Sequence, residues 1–465
     1  YSANLCSSFY LSKKMSLLTQ DAKITEVTIN GKDKGLFIEL NKIDESLLRQ
    51  NGFMPVNIFK GENISTEKII GLNGNLFNNP NLWSKIAVFN QNEDKDFSDL
   101  NRFLANLNKY SSSYINDAHD YIDEDYYSKF QSFLTLTQNN HADWFHNMRL
   151  VFDPWSGKVV QIITDPKIYE NVLGKPFLLD FAGNDLSKTF NVKSTFIHNK
   201  YKNLYELLEK KNIINNLEIY FKSITSDLNL ANKLEPYSLT KLNYISGYEK
   251  VLNQLNKNKE NILKILKNNL KNSFWSFNKS DNIEVVVSQH TPLSNINLFY
   301  DFKNTPDWVA IDQNYNHKID NFEKKFYLKK KNKIILPLIL YSNRIKKTYR
   351  ETHIHQENEI ENISTKFQII SSNKQKPIKI ESENYFTKEK YILNFIKNHT
   401  SVRPNKDNIV IFKEKGTKNL IEFSGNVIID KTKIFNNPVK IREGTVFNIH
   451  PGKHIIFRNR LDARG

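Results

Sequence analysis

The sequence predicts an α+β chain of several modules. Three observations carry this: helix-spaced apolar residues through the first half, a hairpin pattern around a turn-forming pentapeptide at 153–157, and short β runs beyond residue 280. A chain of 465 residues exceeds one ordinary domain and has room for roughly two to four. Hydrophobic residues at 39% and aromatics at 12% supply packed cores, which excludes a disordered chain.

In chain order, Leu5, Phe9, Leu11, Met15 and Leu18 recur at helical spacing, so residues 1–22 read as an amphipathic helix whose role is packing. Glu26–Asn30 and Gly35–Leu40 are β-rich and are joined through Asn30-Gly31 and Lys34-Gly35, where glycine permits a tight turn. A further short run ends at Phe59-Lys60-Gly61. Helical spacing returns over 97–138, with Leu100, Phe103, Leu104 and Leu107, then Tyr126, Tyr127, Phe130 and Phe133. Met148–Phe152 and Lys158–Thr164 flank Asp153-Pro154-Trp155-Ser156-Gly157, a hairpin with a loop of turn formers. Residues 200–273 read as two or three helices serving as scaffold. The β half follows, with runs at Ile283–Ser288, Ile334–Tyr341, Phe367–Ile370, Ile409–Phe412 and Asn426–Ile429. The basic stretch Lys329–Lys333 reads as a solvated strand edge. Val439–Gly465 alternates apolar and polar residues, resembling the opening coil of a right-handed parallel β-helix.

The net charge of +16 admits nucleic acid or anionic lipid as partners. The lysines, however, are scattered among Asn and Ile with no compact Arg-rich stripe, so no nucleic acid is expected. Steering of an anionic substrate such as a nucleotide fits the same charge. The single Cys6 excludes an intrachain disulfide framework and is expected to be a buried helix residue. No run of about 18 apolar residues provides a transmembrane segment. A chain that opens at Tyr1 rather than Met reads as an excerpt, ahead of which a signal peptide or anchor is compatible.

The segment from His141 to Asp165 holds the best chemical constellation, because it places Asp143, Asn147 and Asp165 around one hairpin. Phosphoryl transfer needs such a set: one carboxylate to orient or deprotonate the attacking hydroxyl, and oxygen ligands to hold Mg²⁺ against nucleotide phosphates. Asp143 followed by Asn147 resembles the spacing of a kinase catalytic loop, one residue shorter. Asp and Asn are also common turn residues, so the same set is compatible with plain loop structure.

The ordered motifs decide between these. His146-Asn147-x-Arg-Leu-x-x-Asp-Pro-x-x-Gly-Lys158 resembles the corresponding stretch of CotH kinases, where it leads to an acidic residue in the place of Asp165. Asn30-Gly-x-x-x-Gly-Leu-Phe37, Lys42-Ile43-Asp44, Phe59-Lys60-Gly61-Glu62 and Tyr121-Ile-Asp123-Glu-Asp125-Tyr-Tyr are similar to upstream elements of that family, in the same order. The resemblance covers about 1–170. It implies a two-lobed protein-kinase-like domain followed by β-rich sandwich or β-helix-like modules. The kinase-like domain would span 1–275, with a small lobe to about 95 and a helical large lobe beyond it; a β-rich domain would span 276–420, and the β-helix start 421–465.

The resemblance further implies transfer of the γ-phosphate of ATP, with Mg²⁺, to Ser or Thr of a protein substrate of a cell surface or coat, outside the cell. Asp143 would be the general base, Asn147 and Asp165 the metal ligands, and Phe59 and Lys60 would sit near the nucleotide in the small lobe. The Glu that the family places before its Ile-Asp pair falls at Asn41, with Glu39 on the same strand face two residues away. This departure, together with the lack of a basic strand ahead of the first helix, supports an alternative: a degenerate pseudokinase serving surface adhesion or coat assembly.

Asp312-Gln-Asn314-Tyr-Asn316-His317-Lys318-Ile-Asp320-Asn-Phe-Glu323 matches a Ca²⁺ loop at most ligand positions, but His317 replaces the glycine of the sharp turn, and an Asn-rich turn is the preferred reading. His353 and His355 share a strand face that a metal could use, but with no Cys or Asp nearby in sequence an exposed polar strand is the preferred reading. No Gly-x-Ser-x-Gly elbow, His-Glu-x-x-His helix or Rossmann fingerprint is present.

Overall fold

The structure is a computed structural model. It describes residues 2–63, 75–87, 96–107, 121–139, 141–143, 146–169, 194–234, 244–277, 282–287, 291–312, 317–319, 323–328, 331–337 and 365–397, with shorter pieces over 177–190, 343–357 and 421–463. The expected β run Ile409–Phe412, His355, and most of the Asp312–Glu323 loop lie outside the described residues.

One core runs from the first helix to the last long one. Helix α1 (Ser2–Lys14) buries Leu5, Phe9 and Leu11. Cys6 is buried in it as expected, and burial pushes its thiol up to about 11. Next come a two-stranded antiparallel ribbon, β1 (Ala22–Ile29) and β2 (Lys32–Leu40), turned at Asn30 and Gly31 with φ of 52° and 73°, and the short α2 (Glu45–Gln50). Strands β3 (Ile58–Gly61), β4 (Trp83–Ala87), β5 (Met148–Asp153) and β6 (Lys158–Gln161) form an antiparallel sheet in the order β4-β3-β5-β6. Between them lie α3 (Ser98–Leu107) and α4 (Glu124–Thr137). Asp123 caps α4 through a bond from the Tyr126 amide, and Glu124 and Asp125 follow in its first turn, where the helix dipole favours acids. The large helices are α5 (Ser194–Tyr205), α6 (Ile213–Leu234) and α7 (Tyr244–Leu266), with a π-helical turn at Glu206–Lys210.

Both faces of the β4-β3-β5-β6 sheet are covered, which is why its strands read as nearly continuous apolar runs. Phe59 and Leu150 face the large core with α3 and α4, while Ile58, Val151, Val160 and Ile162 pack on Leu18, Leu47, Leu48 and Val56. The glycine at 61 leaves room for a neighbouring ring. A Cβ there would meet ring carbons of Trp83 at 3.0 Å, and that ring is held by a 2.7 Å bond from its Nε1 to the Leu76 carbonyl.

A second core belongs to a β-sandwich. Its strands in chain order are β7 (Phe274–Phe277), β8 (Ile283–Val287), β9 (Leu293–Phe299), β10 (Trp308–Asp312), β11 (Lys325–Tyr327), β12 (Lys333–Pro337), β13 (Asn343–Arg344), β14 (Thr352–His353), β15 (Gln356–Glu357), β16 (Thr365–Ser371), β17 (Lys379–Asn384), β18 (Lys390–Ile392) and β19 (Asn394–Phe395). One sheet runs β11-β10-β16-β8-β7-β19 and the other β12-β9-β17-β18, with β14 and β15 forming a separate pair. Val285, Val309 and Ile369 of the first sheet meet Ile296, Leu336 and Ile380 of the second.

The last strands, β20 (Ile421–Phe423), β21 (Asn426–Ile429), β22 (Lys433–Phe435), β23 (Val439–Ile441), β24 (Val446–Ile449), β25 (Ile455–Phe457) and β26 (Leu461–Ala463), pair in parallel with the third strand onward. That is the pairing of successive windings of a coiling chain, and its first strand begins at Ile421, where the β-helix start is expected; the alternating stretch from Val439 supplies its later strands. Phe423 touches the rings of Phe435 and Phe447 across it. The windings reach the first unit through His454, 2.8 Å from the Asn101 carboxamide, and through Arg458, which donates to the Asn78 carbonyl at 3.1 Å. No helix among the described residues is long and apolar enough to cross a membrane.

Candidate functional site

The β5–β6 hairpin opens away from its Asp153–Gly157 turn, and the open end is fastened bond by bond. The Ile162 amide donates to the Arg149 carbonyl at 2.9 Å, the Ile163 amide to the Leu18 carbonyl at 2.9 Å, and Thr164 Oγ1 to the Asn147 carbonyl at 2.6 Å. Asn147 and Asp165 therefore flank this end as neighbours. Both have left-handed backbones, φ 59° and 41°, a conformation that Asn and Asp tolerate better than other residues bearing a Cβ.

Asp143 enters from the preceding loop. Its Oδ1 accepts from the His146 amide at 2.8 Å and lies 2.9 Å from His146 Nδ1. Asp143 beside it holds the His146 imidazole above its usual range, against the opposing pull of burial. The loop is anchored from below by Asn184, 1% exposed, whose carboxamide donates to the Ala142 carbonyl at 2.7 Å and accepts from the Ser187 amide at 2.8 Å.

Asp165 Oδ2 takes His141 Nδ1 at 2.7 Å and Lys167 Nζ at 3.3 Å. Burial raises its pKa, but His141 and Lys167 outweigh burial and hold the carboxyl below the usual carboxylate range. The other ring nitrogen of His141 lies 2.7 Å from the Tyr169 hydroxyl, and the rings of His141 and His146 stand 6.2 Å apart. The Asn147 carboxamide makes no hydrogen bond to any described residue.

The remaining expected residues fall elsewhere. Lys60 is half-buried and sits opposite Arg149 in the β3–β5 register. Phe59 points to the other side of the sheet, wholly buried between Phe97 and Phe152, so its ring builds core. Glu39 lies on the exposed ribbon, paired with Lys23 at 3.1 Å and accepting from Thr25 Oγ1 at 3.0 Å.

Sequence reading missed the partners that hold the set. Glu62 and Arg149 both stand inside the quoted motifs, and the guanidinium reaches Glu62 Oε2 at 3.2 Å from each of two nitrogens. A charge inside the otherwise apolar β5 and another directly after β3 are the available signal, because a charge enclosed there needs a partner. Asn184 and Tyr169 carried no signal; only the fold brings them in.

The family model described as CotH kinase protein matches residues 7–165. The match covers roughly the first third of the chain, runs from within α1 through β6 and ends on Asp165. This stretch is a CotH kinase family region, as the ordered motifs implied. No curated protein matches the chain.

Proposed function

We propose that this CotH kinase family region works as a kinase-like phosphotransferase, moving the γ-phosphoryl group of ATP to a Ser or Thr hydroxyl of an extracytoplasmic protein. The observation that carries the reading is the convergence of Asp143, Asn147 and Asp165 at the open end of one hairpin. Asp143 orients the acceptor hydroxyl and receives its proton as the hydroxyl oxygen bonds to phosphorus. The bond from that phosphorus to the bridging oxygen breaks, and ADP leaves.

The residues fit Mg²⁺. Asp165 has Oδ1 to offer while its partners use Oδ2, and the Asn147 carboxamide is uncommitted among the described residues, so two oxygens are at hand. No group of three or more His, Cys, Asp or Glu among the described residues could hold a metal by itself. An ion held by two protein oxygens would take its other ligands from phosphate and water. When bound, the ion neutralises charge on the phosphates. Lys60 supplies positive charge on the small sheet. The kinase-like domain is assigned to 1–275, the β-rich domain to 276–420 and the coiling windings to 421–465; the β modules present the enzyme at the cell exterior.

One observation favours the second reading, a degenerate kinase fold used for attachment or coat assembly: Glu39 is committed to the exposed ribbon and Phe59 to the core. Calorimetry of Mg·ATP on wild type and Asp165→Asn separates the two. Binding that depends on Asp165, with label transfer lost by orders of magnitude in Asp143→Asn, establishes the enzyme. Absence of binding in both proteins leaves the attachment reading.

A further inference from the structure

We propose that His141 is the positioning residue of this site: it takes one oxygen of Asp165 as its own partner, is locked in turn by Tyr169, and thereby commits the other oxygen to the cation. The inference rests on the metal-binding role proposed for Asp165.

A carboxylate on a short side chain rotates over a broad, nearly two-fold profile, so its two oxygens exchange places at little cost. At Asp165 that symmetry is broken, because His141 Nδ1 and Lys167 Nζ both lie against Oδ2, at 2.7 and 3.3 Å. Lys167 is a flexible ammonium that could follow either oxygen. His141 could not. Its amide donates to Asn139 Oδ1 at 2.9 Å, and its ring is gripped at the far nitrogen by the Tyr169 hydroxyl at 2.7 Å. Tyr169 is fixed by its own amide, 2.8 Å from the Thr137 carbonyl at the end of α4, and its carbonyl accepts from Asn258 of α7 at 3.2 Å. A line of bonds thus runs from two large helices through a phenol and an imidazole to one carboxylate oxygen.

The chemistry also sets the tautomer. An ionised carboxylate only accepts, so Nδ1, 2.7 Å from Asp165 Oδ2, carries a proton toward it and Nε2 is left to accept from the phenol; Lys167 Nζ, 3.5 Å from Nδ1, is closer to Oδ2 at 3.3 Å and donates there. Hydrogen bonds of this kind to a ligating carboxylate fix its orientation for a metal.

The test uses the full chain and two readouts. Without metal or nucleotide, ¹⁵N NMR of histidine side chains should show the His141 proton on Nδ1, and Tyr169→Phe should shift that signal. A proton on Nε2 overturns the proposal. Manganese binding in the presence of ATP, followed by electron paramagnetic resonance, forms the second arm. His141→Gln, whose amide reaches toward Tyr169 and leaves Asp165, should weaken Mn²⁺ binding about tenfold or more. His141→Asn, whose amide nitrogen takes the place of Nδ1, should restore most of it. Equal affinity in all three proteins, alongside loss in Asp165→Asn, overturns the role of His141 and leaves the metal site standing. No Mn²⁺ binding by wild type overturns the metal reading itself and the proposal with it.

Discussion

Arg149 directs two guanidinium nitrogens to a single oxygen of Glu62, each at 3.2 Å, with the side chains only 13% and 22% exposed. The pair ties β5 to the residue after β3, beside the loop that carries Asp143. A pair this enclosed is costly to halve, because the remaining charge keeps its desolvation penalty. Arg149→Ala and Glu62→Ala should each lower unfolding stability by about 2 kcal/mol. The double variant should cost less than the sum, and a double-mutant cycle in urea measures the coupling.

Gly61→Ala should destabilise by about 1–3 kcal/mol, the range for overpacking. The added methyl would lie 3.0 Å from the Trp83 ring, which its bond to the Leu76 carbonyl holds in place. Pairing it with Trp83→Leu should recover part of the loss, measured as the urea midpoint.

Lys200 is 0% exposed, its Nζ 2.9 Å from Asp180 and 2.7 Å from the Leu179 carbonyl, while Tyr201 donates to the other Asp180 oxygen. Lys200→Met should cost about 3–5 kcal/mol by leaving a buried carboxylate with one donor fewer. Adding Asp180→Asn should return much of it, read from thermal unfolding of the two variants.

His198 packs edge-on against Tyr385 at 4.4 Å, joining α5 to the sandwich. Burial, then Lys202 and Lys388, push its pKa below the ordinary 6.5. As pH falls below that value the unfolded chain takes up a proton that the folded chain refuses, so stability drops on the acid side. Wild type should therefore lose more stability than His198→Phe between about pH 7.5 and 5.5, compared by urea titration at each pH.

Much of this was legible in the sequence for a physical reason. The turn at Asn30-Gly31, the β5–β6 hairpin and the α4 cap at Asp123 are local devices, and local chemistry specifies them. Asn147 and Asp165 flank the open end of one hairpin and Asp143 stands in the loop just before it, so their proximity is a matter of short chain distance. Strands β9 and β17 were not legible. Their buried faces carry Asn384 and Ser382 beside Ile296 and Ile380, so hydrophobic alternation is weak until the facing sheet is known. The sequence does not tell which of two buried sheet faces Phe59 takes; the structure puts its ring in the large core, with Ile58 on the opposite face.

The left-handed backbones of Asn147 and Asp165 narrow what evolution can write there. Glycine, asparagine and aspartate hold such a conformation with little strain, and most other residues do not. An aspartate codon becomes asparagine or glycine by a single base change. Under the proposed phosphotransfer, silencing the site is therefore a short genetic step that leaves hairpin and core intact. Two chains of this architecture, one with ligating side chains at these positions and one without, would share their backbone and differ only in those side chains.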